Sequence, residues 1–442
     1  MGRFTRLAVR SPRWGMGRWI ILLTVLGGPL CAMAASDPVA HHWHHPNAGR
    51  IPDAAQKSDG HAEVCRACHE VQWSNWSGSR HANAFSPGLL AALLERSRQG
   101  VDACLRCHAP LVEQREALHR QDPFFEWQDQ AAWPQRLADG IACPICHQRQ
   151  GRLITPRSTS EKSTASDQEL TIHRQRQPSE WLSQSHFCAA CHQADPQQKR
   201  TIGDGEPLLH NTFSEWRKSP FAARGLHCQG CHMPKRHHLF RGIHDPAMTR
   251  SGVTVCMDVT HPEKVVLTLR STRVGHMFPT YATPRIVLLG TRLDSASHPL
   301  DPAPQRWVIQ RRMRWSQGGW HPWRDTRLAP GATASLEVPW QRAGVLASSI
   351  NLQIRVEPDH LYTTHIHPRR LVESADPTVR KLLQRAIGEG EANNYTLWAQ
   401  TAHRNRVDDQ ITRSPPMWHP NTREHNPLDH IPIPPVGDTT CP

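Results

Sequence analysis

Ten cysteines and five histidines of this chain fall into five copies of one pattern, Cys-x-x-Cys-His. This pattern is typical of c-type haem attachment: two thiols at this spacing bond to the two vinyl groups of the porphyrin, and the adjacent histidine projects toward the iron. Zinc sites and disulfide bonds are the alternatives, but zinc would need further cysteine or histidine pairs at their own spacing. The sequence therefore predicts five covalently bound haem c groups, held at Cys65/Cys68/His69, Cys104/Cys107/His108, Cys143/Cys146/His147, Cys188/Cys191/His192 and Cys228/Cys231/His232.

The second ligand of each iron decides between two function classes. A haem with two nitrogen ligands transfers electrons, whereas a haem with an open position can bind and transform a small molecule. Outside the motifs, residues 35 to 250 contain fourteen histidines, which is enough for five bis-histidine haems. A solvated or propionate-bonding role is the alternative for each. The predicted distal ligands are His81, His238, His244, His276 and His186.

One of these candidates is singled out by an internal repeat. Trp76-x-x-Ser79 recurs as Trp216-x-x-Ser219, but the first copy continues with His81 where the second has Phe221. The exchange indicates that the histidine has a task that the repeated element itself does not require. His81 is therefore the strongest distal candidate.

The composition changes near residue 250. After this point Ile350, Leu352, Ile354 and Val356 alternate with polar residues, as in a half-buried strand, and similar segments precede them. The predicted fold class is α+β multidomain: a mainly helical, loop-rich multihaem domain, an antiparallel β-sandwich-like domain, a C-terminal helix over roughly 376–404 and an extended tail. The predicted boundaries are 1–34 (signal peptide), 35–250 (pentahaem domain), 251–370 (sandwich-like domain), 371–413 (helical segment) and 414–442 (Pro-rich tail).

The N-terminus predicts export. Basic residues precede an apolar run from about Trp19 to Leu30, and Ala32-Met33-Ala34 resembles a signal cleavage site. An uncleaved membrane anchor is the alternative, although the run is short for one. Later segments are too polar to span a bilayer, so we expect a periplasmic mature chain without a stable membrane span.

The charge and the remaining cysteines add two expectations. The formal charge is +13, and loss of the five arginines before residue 34 leaves +8. Five haems would add about ten propionate groups, so the basic pI does not indicate nucleic-acid binding. Cys256 and Cys441 remain in the mature chain; we expect a disulfide bond between them, with two unpaired thiols as the alternative.

Four segments together resemble a known family. They read WSGSRHANAF, SEWRKSPFAARGLHCQGCHMP, HHLFRGIH and VGHMFPT, between residues 76 and 280. The chain resembles the multihaem c-type cytochromes related to the tetrahaem electron acceptor of hydroxylamine oxidoreductase. The resemblance implies packed haem pairs, mostly bis-histidine ligation, a largely helical haem domain and periplasmic electron transfer. Some larger relatives oxidise hydroxylamine or reduce nitrite or tetrathionate, but this chain has no Cys-x-x-Cys-Lys motif and only three tyrosines.

These observations predict a periplasmic pentahaem cytochrome that transfers electrons between redox partners. The partner would be another cytochrome, a quinol-oxidising complex or an oxidoreductase. The alternative is a multihaem oxidoreductase in which one open haem acts on hydroxylamine, nitrite or tetrathionate, with nearby arginine and histidine side chains supplying protons and binding the anion. A third possibility is that the C-terminal domain chiefly binds another protein.

Overall fold

The computed structural model describes residues 62–111, 114, 139–149, 152–156, 176–193, 211–316 and 319–404. Within these ranges, short helices prevail up to residue 251 and antiparallel strands prevail after it. This confirms a mixed α+β chain, while the division into domains at residue 250 stays a prediction. The predicted signal peptide, the Pro-rich tail and Cys441 lie outside the described residues. No helix within the described ranges combines the length and apolarity that crossing a bilayer requires.

The helices of the first part are short, and most of them carry or flank a Cys-x-x-Cys-His motif. In four of the five motifs, the motif histidine is the last residue of its helix. The helices are Ala62–Arg66 (α1), Glu70–Ser77 (α2), Pro87–Leu94 (α3), Arg98–His108 (α4), Cys143–His147 (α5), Ser185–His192 (α6), Thr212–Arg217 (α7), Pro220–Ala223 (α8), Cys228–His232 (α9) and Pro246–Ser251 (α10).

The repeated tryptophans connect their helices to the haem motifs. The Trp76 indole N–H donates to the carbonyl of Ile141 at 2.8 Å, and that of Trp216 donates to the carbonyl of Leu226 at 2.9 Å. Each acceptor stands two residues before the first cysteine of a motif. The glycine before each acceptor has a positive φ, 53° and 70°, a conformation that glycine adopts without steric cost. The repeat therefore fixes the backbone that leads into the third and fifth motifs.

A small sheet follows the third motif. It consists of Gln148–Arg149 (β1), Arg152–Pro156 (β2) and Arg176–Ser179 (β3), with β2 in the centre. The pairing of β1 with β2 is antiparallel and that of β2 with β3 is parallel. This sheet places the backbone of β2 beside the histidine of the third motif.

Two antiparallel sheets form the second part of the chain. Their strands are Val253–Asp258 (β4), Lys264–Ser271 (β5), Arg285–Leu293 (β6), Gln305–Ile309 (β7), Thr333–Pro339 (β10), Ser349–Glu357 (β13) and Tyr395–His403 (β14). One sheet has the strand order β10-β5-β4 and the other β14-β13-β6-β7. Two hairpins accompany them: Arg311–Ser316 (β8) with Gly319–Asp325 (β9), and Gln341–Arg342 (β11) with Val345–Leu346 (β12).

Alternating side chains from both sheets meet in one core. Leu267 of β5 and Leu352 and Ile354 of β13 are fully buried members of the same hydrophobic cluster. Each such side chain contributes about 1.5–3 kcal/mol by leaving water. Gly290 of β6 allows the sheets to approach, because a Cβ at this position would lie 2.3 Å from the side chain of Val338.

The C-terminal helices pack against the haem-bearing part. A π-helical turn, Tyr362–Ile366, leads into His367–Glu373 (α11) and Pro377–Ala392 (α12). The carboxylate of Asp376 begins α12 by accepting the backbone N–H of Thr378 at 2.7 Å. Val379 and Leu383 of α12 share a buried cluster with Leu90 of α3.

The helix predicted over 376–404 is shorter in the structure. It ends at Ala392, and Tyr395–His403 forms β14 on the edge of the four-stranded sheet. Asn393 and Asn394 interrupt the helix because asparagine favours helix ends and turns. The following residues then pair with β13, and Leu397 and Ala402 are buried in the core of the two sheets.

Candidate haem sites

The motif thiols of different copies lie next to one another. Cys65 of the first motif is hydrogen-bonded to Cys143 of the third. Cys107 of the second contacts Cys191 of the fourth, and Cys188 of the fourth contacts Cys228 of the fifth. The attachment edges of neighbouring haems would therefore be adjacent.

Four motif thiols stand outside these pairs: Cys68, Cys104, Cys146 and Cys231. Cys146 of the third motif interacts electrostatically with Cys188 and Cys191 of the fourth, and so adds to the effects that raise their pKa values. Burial raises the pKa of Cys231 to about 11, and burial is also the main cause that raises the pKa of Cys104. The structure thus places Cys146 of the third motif beside the fourth motif. Haem attachment at Cys146, as at the other motif cysteines, stays a prediction from the spacing.

The first motif differs from the other four in its helix boundaries and its exposure. Helix α1 ends at Arg66, before the second cysteine, and His69 stands at the N-cap of α2 instead of ending a helix. Cys68 is the exposed member of the ten motif thiols, and His69 is exposed as well. This motif lies at the start of the described part of the chain. Attachment through Cys68 and ligation by His69 therefore stay predictions.

Three of the motif histidines are held with Nε2 available as a metal ligand. The Nδ1–H of His108 donates to the carbonyl of Ala84 at 2.7 Å, that of His147 to Ile154 at 3.1 Å and that of His232 to Arg241 at 2.6 Å. A carbonyl can only accept, so the proton is on Nδ1 and Nε2 keeps its lone pair. Such bonds orient metal-binding histidines and raise their basicity.

The fourth motif histidine has a different partner. Nδ1 of His192 is hydrogen-bonded to the hydroxyl of Tyr281 rather than to a backbone carbonyl. Tyr281 lies in the loop between β5 and β6, and burial is the main cause that raises the pKa of this phenol. No motif in the sequence marks this tyrosine.

Three predicted distal histidines lie opposite motif histidines. The ring centroids of His81 and His192 are 6.1 Å apart, and those of His147 and His238 are also 6.1 Å apart. His276 faces His232 at 6.3 Å with nearly parallel rings, 11° between planes. Metal–imidazole bonds are about 2 Å long, so two imidazoles on opposite sides of one iron have centroids about 6 Å apart.

The opposed histidines are partly shielded from water. Burial lowers the pKa of His81 to about 4, and it lowers the pKa of His276 to about 4. Burial is also the main cause that lowers the pKa of His238, and the nearby His147 and His69 add to this effect. Each of these shifts favours the neutral imidazole, which is the form that binds iron.

One buried nitrogen indicates a missing ligand contact. Nδ1 of His81 is buried and has no hydrogen-bond partner. A buried polar atom without a partner is costly unless a bound group uses the site. The residues of these three histidine pairs therefore fit haem c.

Two predicted ligands have other surroundings. Nε2 of His244 lies 3.0 Å from both carboxylate oxygens of Asp359. His186 is exposed at the start of α6, with its ring 4.9 Å from that of Phe213. Neither faces a motif histidine among the described residues.

The environment of the second motif differs from that of the third, fourth and fifth. No ring lies opposite His108 in the described part of the chain. Close to this motif, Tyr362 and His367 stack with centroids 5.2 Å apart. His367 is only 7% exposed, and its buried Nδ1 has no partner. Burial, followed by Asp359 and Cys104, raises the pKa of Tyr362.

The loop between β5 and β6, residues 272–284, brings two groups to the haem-bearing part. It carries His276 and Tyr281 and is fixed by Glu215 of α7, whose carboxylate accepts the N–H of Met277 and the hydroxyl of Thr280. Arg327 bonds the other carboxylate oxygen at 2.9 Å. Both charged side chains of this pair are almost fully buried, at 5% and 7% exposure.

Comparisons with known proteins agree with this arrangement. The family model described as cytochrome c554 and c-prime matches residues 64–148, which contain the first three motifs. The fold is similar to that of a penta-heme cytochrome c552 from Thermochromatium tepidum, with 17% identity and a TM-score of 0.53. The similarity covers 78% of this chain and 98% of that one.

These two findings support a multihaem c-type cytochrome family for this chain. No curated protein sequence matches it. This similarity supports covalently bound haem c and a role in electron transfer. The number of haems and their ligation belong to the proposal that follows.

Proposed function

We propose that the protein is a periplasmic pentahaem cytochrome c that transfers electrons between redox partners through mostly bis-histidine haems. The observation that supports this best is the opposition of His81, His238 and His276 to three motif histidines, with a gap of the size of a coordinated iron. The five motifs supply the thiols for five haems. A redox partner protein supplies or accepts the electrons.

The residues have separate tasks in this proposal. Haem, when bound, supplies one-electron iron chemistry. The ten cysteines would hold it covalently, and the motif and distal histidines would be the ligands of its iron. Backbone carbonyls and Tyr281 fix the orientation of four motif histidines. Burial keeps the distal imidazoles neutral, so no proton has to leave them before they bind iron.

Adjacent motif thiols support electron transfer along the chain of sites. The contacts connect the first motif with the third, the second with the fourth, and the fourth with the fifth. Neighbouring haems attached at these thiols would have their edges close together. The attachment of haem c and the predicted signal peptide support export, and the polar later segments support a soluble periplasmic chain.

A second candidate function is favoured by one observation. His108 has no ring opposite it among the described residues, whereas Tyr362 and His367 form a buried polar pair near its motif. An open haem there would bind a small ligand, and the chain would be an oxidoreductase for a nitrogen or sulfur compound such as hydroxylamine, nitrite or tetrathionate. His367 and Tyr362 would then supply hydrogen bonds to that ligand.

Optical and EPR spectra of the purified holoprotein, with haem quantified, test both functions. If the protein is an electron carrier, we expect five haems per chain. All of them should be low-spin in the ferric state, and none should bind carbon monoxide when reduced. One high-spin haem that binds carbon monoxide would support the oxidoreductase. Fewer than five haems per chain, with full-length protein, would contradict the pentahaem proposal.

A further inference from the structure

The outer face of the β8–β9 hairpin carries an unusual concentration of positive charge. In β8, Met313 points inward and packs with Ala282 and Leu361, while Arg312 and Arg314 are exposed. Arg324 of β9 is exposed and lies directly opposite Arg312 in the strand register. We call Arg312, Arg314 and Arg324 the arginine face.

The arginine face is not neutralised within the described part of the chain. None of its three guanidinium groups has a carboxylate within ion-pair distance there. Like charges directly opposite each other across two strands are destabilising. A hairpin that keeps such an arrangement departs from what folding alone favours, and such departures are expected at functional sites.

Aromatic surface adjoins this charge. Trp323 is 50% exposed, and the guanidinium of Arg312 lies 4.7 Å from its ring centroid. Arginine and tryptophan are the residues that most often dominate protein–protein binding energy, and the planar guanidinium matches a carboxylate in two hydrogen bonds.

The inner side of the hairpin packs on Leu361, which lies next in the chain to a residue that interacts with the second haem motif. Leu361, which packs on Met313, precedes Tyr362, and Tyr362 is electrostatically coupled to Cys104. A protein bound to the outer side would therefore sit near one end of the haem array. This position suits the entry or exit of electrons.

We propose that the arginine face docks an acidic, carboxylate-rich face of a redox partner protein, next to the haem of the second motif. The inference rests on the proposed electron-transfer function and adds the chemistry of the partner. Oppositely charged faces raise association rates by about 10- to 1000-fold at low salt.

Reduction kinetics of the ferric holoprotein test this proposal. The probe is an acidic flavodoxin in its hydroquinone form, which gives one electron to a ferric haem and becomes the semiquinone. The variant is Arg312→Gln/Arg314→Gln/Arg324→Gln. A control with the same charge loss is Arg342→Gln/Arg355→Gln/Lys381→Gln, at exposed positions outside the hairpin.

At low ionic strength, we expect the test variant to be reduced at least tenfold more slowly than the control. Its reduction rate should depend less on salt, and the rates of the two variants should become equal at high salt. Equal rates for the two variants would overturn the proposal. Loss of binding to phosphatidylglycerol vesicles with unchanged flavodoxin kinetics would also overturn it, in favour of a lipid surface. Haem content and the low-spin spectra, measured on the same samples, test the proposed function separately.

A different observation supports a second inference, about Tyr281. The backbone carbonyls that accept from His108, His147 and His232 are strong acceptors, whereas His192 bonds to a phenol oxygen. A hydrogen bond at the ring nitrogen that does not bind the metal changes how strongly the other ring nitrogen donates electron density to the metal. Tyr281 is also hydrogen-bonded to Thr212, so the phenol is fixed in place.

We infer that Tyr281 is a positioning residue that sets the reduction potential of the haem at the fourth motif, again resting on the proposed function. Ferric iron takes one electron and becomes ferrous, and no bond or proton changes in this step. Loss of the Tyr281 hydroxyl removes the hydrogen-bond acceptor, so the imidazole of His192 donates less electron density to the iron. This favours the ferrous state. Tyr281→Phe should therefore raise one of the five midpoint potentials.

Redox titration with mediators measures the effect. We expect about a tenfold change in the ferrous-to-ferric equilibrium of one haem, about 59 mV in the positive direction. Tyr395→Phe is the control, since Tyr395 bonds Ile243 and Thr249 instead. Five unchanged potentials, or an equal shift in the control, would overturn the inference.

A second form of the test does not depend on the folding of Tyr281→Phe. A chain with Tyr362→Phe and Tyr395→Phe keeps only Tyr281, and fluorotyrosine incorporated there is a weaker acceptor of similar shape. The same haem should shift in the same direction relative to the unlabelled chain. Absence of that shift would overturn the inference, while the low-spin spectrum of the wild type reports on the proposed function.

Discussion

At the scale of single residues, burial and hydrogen bonding separate the histidines into groups. His81 and His276 are half-buried and lie opposite motif histidines, with pKa values lowered by burial, whereas His244 is hydrogen-bonded to a carboxylate. The residue type was the same in every case. Only the neighbours differ, and they decide which imidazole nitrogen is available to a metal.

Replacement of His81 should change the spin state of one haem. In His81→Ala the iron bound by His192 loses its opposite ligand, so one low-spin haem becomes high-spin while the covalent haem content stays the same. EPR of the ferric protein and haem quantification measure this. The exposed His186→Ala is the control and should leave the spectrum unaltered; an unaltered spectrum for His81→Ala would remove His81 from the ligands.

His244→Ala should keep every haem low-spin. The side chain of His244 is hydrogen-bonded to Asp359. Burial alone would raise the pKa of this carboxyl, but the hydrogen bonds from His244 and Asn393 outweigh burial and lower it. We expect a loss of about 1 kcal/mol in the free energy of unfolding. Urea titration measures this loss and compares it with that of His261→Ala. The ion pair of His261 with Asp258 is more exposed and contributes less to the free energy of unfolding. Appearance of a high-spin haem would instead assign His244 as a ligand.

At the scale of elements, the loop between β5 and β6 connects the two differently built parts of the chain. Its position depends on α7, because Glu215 accepts from the loop backbone and pairs with Arg327. The sheet core fixes both ends of the loop, and α7 fixes its middle. A strand-rich segment thus brings His276 and Tyr281 to sites whose other ligands come from helices.

Breaking this pair should destabilise the protein strongly. Arg327→Gln leaves the buried carboxylate of Glu215 without its positive partner, which costs about 3 kcal/mol. Denaturant unfolding of fully haem-loaded protein measures the loss. Arg385→Gln, which removes an exposed pair with Glu389, should change stability by less than about 0.5 kcal/mol. Equal effects of the two substitutions would show that the Glu215–Arg327 pair does not stabilise the loop.

At the scale of the whole molecule, one covalent link remains to be located. Cys256 in β4 is disulfide-bonded, and the other described cysteines are thiols of the haem motifs, so its partner lies outside the described residues. This agrees with the expected Cys256–Cys441 bond, which stays a prediction. Such a bond would connect the first strand of the sheets to the C-terminal tail.

Peptide mass spectrometry without reduction should find residues 256 and 441 in one cross-linked peptide. Cys441→Ser should then lower the free energy of unfolding by about 2–5 kcal/mol, because the unfolded chain loses the constraint of a long closed loop. Thiol labelling of the variant should detect one new reactive group, at Cys256. A cross-link between Cys256 and another cysteine would contradict the assignment.

The sequence by itself determined the chemistry of attachment, because the spacing of two thiols and a histidine is a local property that needs no distant contact. It also indicated the strands, since alternation with period two is local, and it placed His81, His238 and His276 among the candidate ligands. It overestimated the helix after Asp376, where pairing with β13 prevails over local helical preference. It also gave no sign that Cys68 and His69 are exposed, because five identical motifs differ only in what packs around them.

Only the tertiary structure decided which histidine faces which. The pairing of His81 with His192 joins residues 111 positions apart, and no local pattern encodes such a distance. The same holds for Tyr281 beside His192 and for the buried His367, which no motif marks. These contacts depend on how loops, sheets and short helices fill space together, so they follow from packing rather than from spacing along the chain.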